Sequence, residues 1–209
     1  MASDPFRFLA LGDSYTIGES VDPAVRWPVL LADALRAHGL AVATPQIIAE
    51  TGWTTDELDA AIDRAEPQGP FDLVSLLIGV NNQYRKRSVE DYRAEFRGLL
   101  QRAVTFAGAD ARRVLVLSIP DWGVTPFAAD DDRTPERIGA EIDAFNAVAR
   151  EEAEAMGAPF VDVTPLFRTR PLSADLVVED GLHPSGRVYA AWAEQALPVA
   201  AEALEGHAR

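Results

Sequence analysis

Ser14, in LALGDSYTIGES, follows an apolar run and a glycine, so it would project where a strand gives way to a helix. Backbone N–H groups exposed at a helix start favour developing negative charge, which suits a hydroxyl attacking a carbonyl. Such a serine also serves as an ordinary helix N-cap, and within those twelve residues the cap is the better-founded use. Far along the chain, DGLHPSG sets Asp180 and His183 three residues apart. Within one turn the carboxylate can hold one imidazole nitrogen and leave the other free to take a proton from a hydroxyl. The motif reads equally as an Asp-Gly turn before a helix with Pro184 at its first position. Of the three histidines, His38 falls at a helix end and His207 at the C-terminus, which leaves His183 as the candidate base. Two further segments carry uncharged donors, the N–H of Gly52 and the side-chain amide of Asn81 in GVNN. Both can be aimed at an oxyanion without bringing a competing charge. Singly, they are a turn glycine and a loop asparagine.

These residues need a scaffold, and apolar runs alternating with helical segments supply one. RFLALG (7–12), TPQIIAE (44–50), DLVSLLIG (72–79), RRVLVLSIP (112–120) and PFVDVT (159–164) read as strands. Helices are expected over 24–39, over 54–65 with a Thr54/Glu57 capping box, over 88–108 and 135–157, and from Pro184 to Leu204 with a bend at Pro198. Strands that are apolar on both faces and separated by helices imply a parallel sheet covered on both sides. The expected fold is therefore α/β, a flavodoxin-like three-layer sandwich with a five-stranded parallel sheet, spanning 1–209 as one domain. Ligands of such sheets bind beyond the carboxyl ends of the strands. Ser14, Gly52 and Asn81 follow the first three strands, and with His183 and Asp180 they converge on that edge.

The four blocks together resemble the SGNH hydrolases, also called the GDSL family, over nearly the whole chain. GDSY (12–15) is similar to the first block, Gly52 in AETGWTT to the second, GVNN (79–82) to the third and DGLHP (180–184) to the last. The resemblance implies Ser14 as nucleophile, His183 as base and Asp180 as its orienting carboxylate. It further implies an oxyanion hole from the Ser14 N–H, the Gly52 N–H and the Asn81 amide, with no cofactor. Tyr15 stands where the family name has Leu, and Asn82 where the third block usually has Asp.

The expected reaction is hydrolysis of a small-molecule carboxylic ester through an acyl-enzyme. The residues proposed to contact substrate are Tyr15, Asn82, Arg85, Trp122 and Phe127. Arg85-Lys86-Arg87 precede a helix start, where positive charge opposes the dipole, and so suggest an anionic or sugar-like leaving group against an ordinary solvated loop. The Asp130 to Asp132 run lacks calcium-loop spacing and reads as solvated, so no metal is assigned. A flavodoxin-like FMN-binding module is the alternative, with the loop after the first strand holding a phosphate and Trp122 beside the flavin.

Composition narrows the partners. The net charge is −14, and of 19 basic residues only Lys86 is a lysine. That field opposes nucleic acid and anionic membrane surfaces. There is no cysteine, which removes thiolate chemistry and disulfides. The N-terminus MASDPFRF lacks a basic-then-apolar leader, and no run is long enough to cross a bilayer, so a cytoplasmic protein without membrane insertion is expected.

Overall fold

The computed structural model describes residues 4–168 and 176–206. Five parallel strands form one sheet in the order β2-β1-β3-β4-β5. They are β1 Phe8–Gly12, β2 Gln46–Ala49, β3 Leu73–Leu77, β4 Val114–Leu117 and β5 Phe160–Val161. β1, β3 and β4 are buried along their whole length, whereas β2 lies at an edge and is partly exposed. Burial on both faces is what makes the inner strands continuous apolar runs.

The chain starts at β1, steps to β2, then returns across β1 to β3, β4 and β5. With right-handed crossovers, that reversal puts helices on both faces. α2 (Trp27–Ala37) packs along α8 (Gly186–Glu205) on one side, and α3 (Thr55–Ala65), α5 (Val89–Phe106) and α6 (Pro135–Met156) pack in succession on the other. Short helices α1 (Ser14–Ile17), α4 (Val80–Tyr84) and α7 (Thr164–Arg168) follow β1, β3 and β5. The result is the α/β three-layer fold read from the sequence.

Helix starts follow local chemistry. Glu57 accepts the Thr54 N–H at 2.9 Å ahead of α3, and Ser88 Oγ accepts the Asp91 N–H at 3.0 Å ahead of α5. α8 begins at Gly186 rather than Pro184, because Pro184 is held in an antiparallel bridge to Val177, and the helix runs unbroken through Pro198. His207 lies outside the described residues. Among the described residues, no helix is long and apolar enough to cross a membrane.

Candidate active site

The first site residue sits at a turn that only glycine permits. A Cβ on Gly12 would lie 2.2 Å from Thr16 Oγ1 and 2.5 Å from the Leu77 carbonyl oxygen. The helix cap is Asp13, not Ser14: Asp13 Oδ1 accepts the Tyr15 N–H at 3.0 Å. Ser14 is the first residue of α1, so its hydroxyl is not committed to capping and faces a cavity at the carboxyl edge of the sheet. Asp13 is fully buried, and burial pushes its carboxyl up to about 7 despite the Tyr15 N–H.

His183 lines the same cavity. The Asp180 turn grips it with both oxygens. Oδ1 accepts the backbone N–H groups of Leu182 and His183 at 2.8 and 2.9 Å, and Oδ2 lies 2.6 Å from His183 Nδ1. Partial burial works against the Asp180 carboxylate, but the imidazole and the two N–H groups outweigh it and hold its pKa below the ordinary value. An ionised carboxylate only accepts, so in the neutral imidazole Nδ1 carries the proton and Nε2 is the acceptor. The loop is anchored by Val178 N–H to the His183 carbonyl (2.9 Å) and Ser185 N–H to the Leu176 carbonyl (3.0 Å).

Gly52 and Asn81 enter the cavity from the turns after β2 and β3. Gly52 has φ +88°, a conformation suited to glycine. Asn81 occupies the first turn of α4, whose cap Gly79 has φ +129° and would press a Cβ to 2.6 Å from the Tyr92 ring. Asn81 Nδ2 donates to the Trp53 carbonyl at 2.9 Å, which ties the two turns together and aligns the amide. Ser14, Gly52, Asn81 and His183 thus meet at one cavity of about 160 Å³, and Asp180 stands behind His183.

The proposed substrate-contacting residues divide. Tyr15, Trp122 and Phe127 line the cavity. The buried Tyr15 ring lies 5.6 Å from the His183 ring and 6.1 Å from Trp192, so the aromatic in place of the family's Leu packs against the imidazole. Asn82 and Arg85 do not line the cavity. Asn82 is buried on the far side of α4, where its Oδ1 accepts the Thr55 N–H at 3.1 Å and its Nδ2 donates to Thr55 Oγ1 (2.6 Å) and Glu95 (3.3 Å). An amide suits that place because a second carboxylate would face Glu95. Arg85 donates to the Gly52 carbonyl at 2.7 Å and pairs with Glu57 at 3.3 Å.

Its neighbours are also matched within the chain, Lys86 to Asp132 at 3.0 Å and Arg87 to Asp56 at 2.5 Å. The positive charge ahead of α5 is therefore balanced by acidic groups brought from elsewhere in the sequence. The acidic run is likewise not simply solvated. Asp131 forms an ion pair with the buried Arg133 at 2.8 Å, and that guanidinium holds its carboxyl well below the usual range. Tyr84, which sequence reasoning passed over, also lines the cavity. Its signal was the spacing 80, 81, 84, which places Val80, Asn81 and Tyr84 on one face of a short helix.

The model of the GDSL-like Lipase/Acylhydrolase family matches residues 10–191. The chain belongs to this family. It is accordingly a hydrolase of the esterase/acylhydrolase kind, and the flavin-binding alternative gives way. Among solved structures, TesA has a TM-score of 0.74 at 20% identity and covers 95% of this chain and 99% of its own. A lipase/acylhydrolase from Enterococcus faecalis has a TM-score of 0.69 at 23% identity, covering 95% of each chain. Axe2, an acetyl-xylooligosaccharide esterase from Geobacillus Stearmophilus, has 0.68 at 19%, covering 93% of this chain and 94% of its own. At these identities the likeness is one of fold. No curated protein sequence matches the chain.

Proposed function

We propose that the protein is a serine esterase that hydrolyses carboxylic esters of small or medium acyl groups, with Ser14 as nucleophile, His183 as base and Asp180 as its orienting carboxylate. The observation that carries this is the 2.6 Å contact from Asp180 to His183 Nδ1, made where His183 shares a cavity with Ser14, Gly52 and Asn81. His183 Nε2 takes the Ser14 proton as Oγ attacks the ester carbonyl. The carbonyl π pair moves onto oxygen, and the N–H groups of Ser14 and Gly52 with the Asn81 amide receive that charge. Collapse expels the alcohol, which takes the proton from His183. Water then attacks the acyl-enzyme with the same base and restores Ser14. Donors fixed by the α1 start and by the Asn81–Trp53 bond need little rearrangement when charge develops.

The test is turnover of a simple aryl acetate, with fluorophosphonate labelling, for wild type and Ser14→Ala. The expected result is labelling and hydrolysis in the wild type and loss of both in the variant. Full turnover by a folded Ser14→Ala protein would overturn the assignment.

A further inference from the structure

The cavity, at about 160 Å³, is smaller than the roughly 300–1,000 Å³ of sites for drug-sized ligands. Three of the rings that line it pack together. Tyr84 packs edge-on to Trp122 with centroids 5.5 Å apart and lies 6.2 Å from Phe127, and Trp122 and Phe127 are 6.0 Å apart. Rings this close touch one another, so they make a wall and leave no space between them for a cation. Two of the three are pinned. Trp122 Nε1 donates to Gln83 Oε1 at 2.8 Å, and Gln83 Nε2 donates to Glu141 at 2.8 Å. Phe127 N–H donates to the Gly181 carbonyl at 3.1 Å, beside the His183 loop.

Arg133 braces the wall from behind. Its side chain is 2% exposed and paired with Asp131 and Glu141, and its guanidinium carbon lies 5.2 Å from the Trp122 ring centre and 5.8 Å from that of Tyr84. Tyr84 differs from its companions in being 44% exposed. It sits at the end of α4, three residues after Asn81, and lines the cavity.

We propose that Tyr84 is a specificity-determining residue whose ring closes the acyl end of the cavity and confines the enzyme to esters of short acyl chains. The inference rests on the esterase reading above. The alcohol is released first, with a proton from His183, whereas the acyl group stays on Ser14 Oγ until water arrives. A braced apolar wall suits the group that is retained. Tyr84 is carried on the same short helix as the Asn81 amide, so its part of the wall stands next to the carbonyl that amide would hold. Half-exposed at a helix end, the Tyr84 ring can be removed without opening the core.

Specificity constants for p-nitrophenyl acetate, butyrate, hexanoate and octanoate, measured on wild type, Tyr84→Ala and Tyr84→Phe, test the proposal. The octanoate-to-acetate ratio of kcat/KM should rise about tenfold or more in Tyr84→Ala, since space for a few methylenes is gained. Tyr84→Phe, which keeps the ring, should retain the wild-type ratio. An unchanged ratio in Tyr84→Ala overturns the proposal, as does a folded variant inactive on the whole series. A second series varies the alcohol of an acetate ester, and a size shift found there instead of in the acyl series also overturns it. Should Tyr84→Ala fail to fold, Tyr84→Leu gives the same comparison. Ser14→Ala runs alongside: hydrolysis surviving there defeats the esterase reading, whereas hydrolysis lost there with chain-length preference unmoved by Tyr84 defeats this inference alone.

Discussion

Replacing Asp13 by Asn should change how stability depends on pH while leaving the shape of the turn beneath Ser14 intact. Asp13 is fully buried, its Oδ2 has no hydrogen-bond partner among the described residues, and burial lifts its carboxyl from 3.8 to about 7. The unfolded chain releases this proton near pH 4, whereas the folded protein holds it until about pH 7. Between those values the native state binds more protons, so stability falls as pH rises across the window and levels off above it. Roughly three pKa units at about 1.4 kcal/mol each give ~4 kcal/mol from this one group. That is a large share of a typical net stability of about 5–15 kcal/mol. Asn cannot ionise, and its Oδ1 can still accept the Tyr15 N–H. Urea unfolding of wild type and Asp13→Asn at about pH 4 and about pH 8 isolates the effect, because every other titrating group and any constant offset cancel in the double difference. The expected outcome is that wild type loses ~4 kcal/mol relative to the variant on going to the higher pH. Parallel pH dependences in the two proteins would refute the reasoning.

Asp180→Asn should lower kcat on an aryl acetate by roughly 10⁴-fold with KM little changed, because an amide opposite His183 Nδ1 no longer fixes the tautomer that leaves Nε2 as acceptor. Steady-state kinetics on the purified variant check this, and a loss confined to KM would contradict it. Asn82→Asp, which restores the residue usual in the family's third block, should destabilise the protein by roughly 1–3 kcal/mol by setting a buried carboxylate against Glu95. Thermal unfolding should show the deficit shrinking as pH falls and one of the two acids takes a proton.

The wall of the cavity shows why some of the site could not be read in one dimension. Trp122 lies after the fourth strand, but the residues that hold it, Gln83, Glu141 and Arg133, are polar and sit in segments that read as loop or helix surface. The basic triplet shows the same limit. Its charge was visible, whereas its partners Asp56, Glu57 and Asp132 lie 28 to 46 positions away and only folding brings them close. The capping of α1 was misassigned by one residue because Asp13 and Ser14 are both good caps, and the choice depends on which side chain the turn at Gly12 directs inward.

The chain's periodicities determined the layers. Strands buried on both faces must be written as apolar runs, and the intervening helices leave parallel pairing as the available arrangement, so the edge where Ser14, Gly52 and Asn81 emerge was implied before any coordinate. The motifs carried the residue types, a hydroxyl, an imidazole, a carboxylate and an amide. Tertiary structure decided what depends on distances across the fold. It set the 2.6 Å contact behind His183, the burial that raises the pKa of Asp13, the turning of Asn82 away from the cavity and the placing of Tyr84 in its wall. Each is settled by packing between segments remote in sequence, and local propensity carries no record of such contacts.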